Sequence, residues 1–350
     1  MGLSHTALRI AYSNAIDNAV KQINSQSGNY LLNAIETAEN LLGNNIDSSV
    51  YGIIKKYALK PDSKWAKYAE KVLKGINPNV LKTHILNIGY EAGFNGLKML
   101  EKTEKMCKFP LPYIIDIAVV NNEGKPCLPY EKIDEIIAQG KKIGIYFYVL
   151  SGGDVFERKT DIMKLCRKHK DCAFTIETYG KGITDIFAKR LADAGNISIN
   201  VNISQNTETA FKAMDILKSN GIIFGAVAIY NKGNFKNILD DEFLNKIIEN
   251  GGMYIGCFRD IKEENLTEPE KTEFYEKIKY IRSDENPLLI LAFDFENDTD
   301  YIKSCFTGGR SYLYINYKGF CKADLYDEFT DINAAKIPLI KAISQLKRKN

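Results

Sequence analysis

Through residue 106 the hydrophobic positions recur with helical spacing only. Ala15, Ala19, Val20 and Ile23 fall on one face, and Leu31, Leu32, Ile35, Ala38, Leu41 and Leu42 form a stripe. Breaks at Gly43-Asn44-Asn45 and Lys60-Pro61-Asp62-Ser63 separate the helices, and Pro78 suits the first turn of the next one. From Pro110 the pattern changes. Short apolar, β-branched runs at 113–120, 145–150, 173–176, 197–203, 222–230, 253–258 and 288–293 alternate with amphipathic stretches near 129–140, 158–169, 183–194, 206–219, 239–250 and 268–282. Near-continuous apolar strands separated by helices predict right-handed crossovers and a parallel sheet covered on both faces. Chemistry is then expected at the C-terminal ends of the strands. After Asp294 the pattern predicts a hairpin around Tyr317-Lys318-Gly319 and a last helix from about 331 to 348. Three regions follow: a helical domain over 1–106, an α/β barrel over 107–297 and a C-terminal extension over 298–350.

Composition narrows the class without naming a function. The 350 residues are 45% hydrophobic and 26% charged, as in ordinary globular proteins, and the net charge is +3. Basic and acidic residues are interspersed with no basic stripe, so no nucleic-acid partner is expected. No apolar run reaches bilayer length and no signal-peptide core opens the chain, so no membrane association is expected. Met1-Gly2-Leu3-Ser4-His5-Thr6 matches a myristoylation pattern, a coincidence that short patterns produce readily. Seven cysteines, odd in number and without a CxxC pair, suggest thiols in a reducing cytoplasm rather than a disulfide framework.

The sharpest local motif is Leu150-Ser151-Gly152-Gly153-Asp154 at the end of the second strand. Two glycines allow close backbone approach to a ligand, and the carboxylate after them can hold an ammonium. The bland alternative is an ordinary strand-to-helix turn. The run from Glu131 to Ile137, then Gly140-Lys141-Lys142-Ile143-Gly144-Ile145-Tyr146-Phe147-Tyr148, leads into the motif. Lys164-Leu165-Cys166, Lys168-His169 and Asp171-Cys172-Ala173-Phe174 follow it. Further on stand Ala213-Met214-Asp215-Ile216-Leu217, Phe224-Gly225, Asp241-Glu242-Phe243, Cys305-Phe306-Thr307-Gly308-Gly309-Arg310, Tyr314-Ile315-Asn316 and Gly319.

Taken together, these segments resemble radical S-adenosylmethionine (radical SAM) enzymes with an N-terminal helical domain and a SPASM-like, cysteine-bearing C-terminal extension. The resemblance implies an α/β fold: a partial (β/α)6 TIM-type barrel with an all-α leading domain and a short hairpin-and-helix extension. It also implies that Ser151, Gly152, Gly153 and Asp154 stand where the family binds the amino group of S-adenosylmethionine, with Thr178, Asn202 and Ser204 facing the same mouth.

The departures from the family are several. Its CxxxCxxC loop supplies three thiolates to a [4Fe–4S] cluster, whereas the stretch after the first strand here reads Asn121-Asn122-Glu123-Gly124-Lys125-Pro126-Cys127-Leu128-Pro129. Asn122, Glu123 and Gly124 suit a tight turn, as in a short hairpin. The loops after Ser204 and after Arg259 are shorter than in the family, and the arginines of the former are missing. Cys305 is kept, but Asp324 stands at the next cluster-cysteine position, with Cys321 in a different register.

Cys127, Cys305, Cys321 and Asp324 remain candidate metal ligands, set against the reading of buried thiols as small hydrophobes. Glu177 and Arg259 are the candidate catalytic groups, Glu177 pointing inward with Lys181 or Arg259 as partner. His5, His84 and His169 read as structural. The expectation is a protein without the catalytic [4Fe–4S] site and with no bound cofactor, S-adenosylmethionine being the one candidate ligand. Such a protein would act as a binding or regulatory partner of an active full-length paralogue or of a peptide or protein substrate. The alternatives are an enzyme with an unorthodox cluster or none, and a sensor of S-adenosylmethionine or a nucleoside.

Overall fold

A computed structural model of the chain describes residues 5–25, 64–123, 127–260, 262–281, 289–292 and 312–349, with Lys125 and isolated positions between 32 and 60. The predicted stripe at 31–42 lies largely outside the described residues, and Cys305 lies wholly outside them.

The leading segment is helical, as its spacing predicts. It comprises α1 (His5–Ser25), α2 (Lys64–Gly75), α3 (Pro78–His84), a π-helical stretch (Ile85–Gly96) and α4 (Leu97–Cys107). Pro78 occupies the first turn of α3, and Asn77 caps it by accepting from the Asn79 N–H at 2.9 Å. Asparagines then dock the segment on the barrel. Asn77 N–H donates to the Gly221 carbonyl at 2.9 Å, Asn79 Nδ2 to Ala192 at 2.8 Å, and Asn87 Nδ2 to Lys170 and Cys172 at 2.9 Å each. Those carbonyls lie just before strands begin, so the helices cover the N-terminal ends of the strands and leave the opposite ends for function. Val80, Leu86, Tyr90 and Leu100 join Ile115, Ile133 and Tyr148 in one continuous core.

The strands are β1 (Ile114–Ala118), β2 (Phe147–Ser151), β3 (Ala173–Thr178), β4 (Ile197–Asn202), β5 (Phe224–Tyr230), β6 (Tyr254–Arg259), β7 (Leu289–Ala292), β8 (Tyr312–Ile315) and β9 (Cys321–Lys322). The intervening helices are α5 (Tyr130–Ile143), α6 (Lys159–Lys168), α7 (Asp185–Ala194), α8 (Thr207–Ser219), α9 (Asp241–Glu249) and α10 (Glu268–Ile281), and α11 (Leu339–Lys349) ends the described chain. Strand order is β7-β6-β5-β4-β3-β2-β1-β8-β9. Neighbours from β1 to β7 are parallel. All seven strand runs expected from the sequence are present, the one at 288–293 as β7, so the parallel sheet has one strand more than a (β/α)6 barrel, while β8 adds in parallel to β1 and turns back through β9 as the predicted hairpin.

Alternation along each strand sorts the side chains. Tyr148, Leu150, Phe174, Ile176, Ile199 and Val201 are buried against the helices. Asp116, Val149, Ser151, Glu177 and Asn200 face the other way and are half-buried. The interior of this half-barrel is thus polar where a closed barrel packs bulky aliphatic layers.

Candidate functional site

Register brings the inward polar groups into adjoining rows: Asp116 pairs with Val149, Ala118 with Ser151, and Glu177 with Asn200. The Ser151 hydroxyl donates to Asp116, and the Tyr254 hydroxyl donates to Asn200. Burial pushes the Asp116 carboxyl up to about 7; Glu177 adds to the rise, while the Ser151 hydrogen bond and the Lys322 ammonium oppose it. Burial also raises Glu177 above the ordinary carboxylate range, against hydrogen bonds from the Asn202 side chain and the Gly152 N–H. Lys322, paired with Tyr314 and so on the inward face, is 8% exposed and held below its ordinary value by desolvation.

The sequence-predicted residues therefore divide. Ser151, Gly152, Glu177 and Asn202 come together inside the half-barrel, Gly152 contributing its backbone N–H. Asn202 also accepts from the Ser204 N–H at 3.0 Å, and Ser204 Oγ is spent on the Ile229 N–H at 2.8 Å. Thr178 does not face the mouth, contrary to expectation. Because Glu177 points inward, its neighbour must point out, and Thr178 Oγ1 donates to Asp154 at 2.8 Å while accepting from the Gly180 N–H at 3.0 Å. Asp154 is accordingly 4% exposed, its Oδ1 taken by Thr178 and by the Phe156 N–H at 3.4 Å, while its buried Oδ2 has no partner among the described residues.

Gly152 and Gly153 adopt positive φ, 104° and 149°, so glycine is required there. A Cβ on Gly152 would strike the Val120 carbonyl oxygen, and one on Gly153 the Asn122 side chain. The close approach that the two glycines permit is thus taken up by the chain's own 119–128 segment. That segment turns on Asn121, whose Oδ1 accepts from the Glu123 and Lys125 N–H groups at 3.0 Å each. Asn122 and Glu123 form the expected tight turn, and beyond it the Leu128 N–H donates to the Tyr317 carbonyl at 2.8 Å. Arg158 Nη1 reaches the carbonyls of Val119 and Leu128 at 2.8 Å each, clamping both ends of the segment.

Cys127 Sγ accepts from Asn121 Nδ2 at 2.9 Å. Cys321 is buried, and burial moves its thiol up to about 11. Asp324 Oδ1 accepts from the Tyr326 N–H at 3.0 Å, forming a turn. Among the described residues no group of three His, Cys, Asp or Glu side chains could hold a metal ion. A three-thiolate cluster cradle therefore does not fit the 119–128 segment. Arg259 stacks on Tyr326, 4.8 Å from the ring centroid, and it is Asn202 and Gly152 that hold Glu177. Asp116, Asn200, Tyr254 and Lys322 are site residues absent from the sequence expectation. His84 and His169 take structural roles, bonding Val80 O at 3.0 Å and Asp134 at 2.9 Å. Among the described residues no helix is long and apolar enough to cross a membrane.

No family model matches the chain, and no curated protein matches it by sequence. Solved structures do match in fold. SuiB of Streptococcus suis bound to precursor peptide SuiA is 15% identical with a TM-score of 0.55, covering 76% of this chain and 69% of that one. SuiB bound to S-adenosylmethionine is 14% identical with a TM-score of 0.52, covering 72% and 70%. Native anSMEcpe with bound AdoMet and Kp18Cys peptide is 13% identical with a TM-score of 0.50, covering 67% and 80%. At such identities the likeness is one of architecture: the chain has the partial-barrel fold of the radical SAM peptide-modifying enzymes.

Proposed function

We propose that this protein is a peptide-binding protein of the radical SAM fold that does not assemble the catalytic [4Fe–4S] cluster and serves as a binding or regulatory partner of an active paralogue or of a peptide or protein substrate. One observation carries the reading. The segment that would hold three cluster thiolates has a single thiol, Cys127, and is clamped by Arg158 against the Gly152-Gly153 turn. A cluster of this kind needs three protein thiolates. Val120 and Asn122 fill the close approach that the two glycines would offer to S-adenosylmethionine, while Asp154 keeps one buried oxygen, Oδ2, without a partner. Support for the peptide comes from the architecture shared with SuiB bound to precursor peptide SuiA and with peptide-bound anSMEcpe.

The test is anaerobic reconstitution with iron and sulfide. The expected product is protein without iron–sulfur absorbance, which forms no 5′-deoxyadenosine and whose melting temperature S-adenosylmethionine does not raise. Stoichiometric iron together with 5′-deoxyadenosine would sink the proposal. Co-expression with a neighbouring short peptide or radical SAM gene, followed by co-purification, tests the partner. A second reading draws on the half-buried Asp116 and Glu177: the interior retains a small polar ligand or performs cluster-free chemistry on it. Thermal-shift screening with nucleosides and amines separates the two.

A further inference from the structure

The inward face of the sheet carries more negative charge than it neutralises. Asp116 on β1 and Glu177 on β3 bracket the end of β2 between them: the Ser151 hydroxyl donates to Asp116, and the adjoining Gly152 N–H donates to Glu177. The charges that act on Asp116 are Glu177, of the same sign, and Lys322. Lys322 is committed elsewhere. Its ammonium donates to the carbonyls of Leu325 and Asp327, and Asp327, Asp324 and Glu328 each draw it more strongly than Asp116 does. Two neighbouring carboxyls thus share part of one ammonium. Such a pair either keeps a proton or takes up a cation. Burial, with the Glu177 charge behind it, raises Asp116 in the sense of a kept proton.

An aromatic wall stands on the other side of Asp116. β8 pairs Tyr314 with Asp116, and Tyr312, two residues earlier, turns the same way. Their rings stack with centroids 6.0 Å apart and planes 18° apart. Burial raises both phenols, and the Asp116 charge adds to each rise, so its carboxyl lies beside both rings. A cation already uses this wall: Lys322 Nζ lies 5.7 Å from the Tyr314 ring centroid. Asp116, Glu177, Tyr312 and Tyr314 are half-buried rather than sealed, whereas Leu313 and Ile315 on the opposite face of β8 are buried. Carboxylates supply charge and acceptors, the rings supply their negative faces, and the deficit is a single positive charge. A primary ammonium meets all three conditions. A quaternary ammonium would use the rings but bring the carboxylates no donor.

We propose that the half-barrel interior is a site for a primary ammonium, seated between Asp116 and Glu177 with its alkyl stem along Tyr312 and Tyr314, and that a lysine side chain of the peptide partner supplies it. The source of the ammonium rests on the peptide-binding reading, whereas the site does not. The stem covers apolar ring surface while the charged head meets the carboxylates. Entry of the ammonium releases the kept proton to solvent, so the interior gains a matched charge rather than a second unmatched one.

Isothermal titration calorimetry of the full chain with n-butylammonium tests the site, with n-butanol as the neutral control. A tripeptide with a central lysine and its norleucine counterpart, both with blocked ends, test the source. Butylammonium and the lysine tripeptide should bind, and the two neutral probes should not. Asp116→Asn and Glu177→Gln should each weaken butylammonium about tenfold, because each removes a charged acceptor. Lys322→Met removes the competing charge and should tighten it about threefold. Melting curves of each variant check the fold. Opposite signs at Asp116 and Lys322 separate a charge-matched site from a structural role, which would not produce tighter binding. Butylammonium that binds no better than butanol, or equally well to the parent and to both carboxylate variants, overturns the site. If butylammonium binds as expected while the lysine tripeptide does no better than its norleucine counterpart, the peptide source falls and the ammonium site stands.

Discussion

Two regions toward the C-terminal ends of the strands differ in how their polar groups are satisfied. The 119–128 segment and the Gly152-Gly153 turn are closed on each other, with backbone against backbone and Arg158 clamping both ends of the segment. A strand or two away, Asp116, Ser151, Glu177 and Asn200 form a half-buried polar surface in which burial raises two carboxyls. Self-complementary packing consumes ligand-binding capacity. Polar groups that bear a desolvation cost on an inward face can still retain it.

The strongest way to break the closed region is Gly152→Ala. The new Cβ meets the Val120 carbonyl at a φ of 104°, so the segment must move, and about 3 kcal/mol or more of stability should be lost in urea denaturation. Stability within about 0.5 kcal/mol of the parent would show that the turn does not hold the segment. Next comes Arg158→Met, which keeps much of the packing but strips two carbonyls of their donor. It should cost about 2 kcal/mol and speed exchange of the Leu128 amide, because both ends of the segment are released. Slow exchange in this variant would mean that the Tyr317 contact alone suffices.

How these regions were legible in the sequence follows from their physics. Strands and helices could be read because period and burial coincide: Asn206 caps α8, and the Gly-Gly turn falls at the end of β2. Thr178 was misplaced although the rule that excludes it is local, since an inward Glu177 sends its neighbour outward. Asp116 was overlooked inside the run 113–120, where a lone carboxylate in an apolar strand was the available signal. The Arg259–Tyr326 contact had no such signal. It joins residues 67 apart across the curl of the sheet.

Asp116→Asn probes the open region. An acid raised from its ordinary value of 3.8 to about 7 binds its proton more tightly folded than unfolded. Its contribution to stability is therefore full below the unfolded value and is lost as pH rises through about 7. The asparagine variant should flatten this part of the pH dependence and gain about 1 kcal/mol at pH above 7, a modest figure because the half-buried group is partly screened. Glu177, raised in the same direction, leaves a residual slope. Denaturation at a series of pH values reads the effect, and a slope unchanged by the substitution would place the proton elsewhere.

The smallest expected effect distinguishes a ligand-ready interior from one that is only structural. Tyr254→Phe removes the hydroxyl that donates to Asn200 while keeping the ring against Gly225. If the interior is a folding element, the loss is that of an ordinary hydrogen bond, about 1 kcal/mol. Because Asn200 is half-buried, however, water can replace the lost donor, and the cost should fall to about 0.5 kcal/mol. The closed region offers no such replacement, so the ratio of the Arg158→Met and Tyr254→Phe losses measures how far the two regions differ. Equal losses, compared in one denaturant series, would show that the interior is as tightly consumed by its own contacts as the turn beside it.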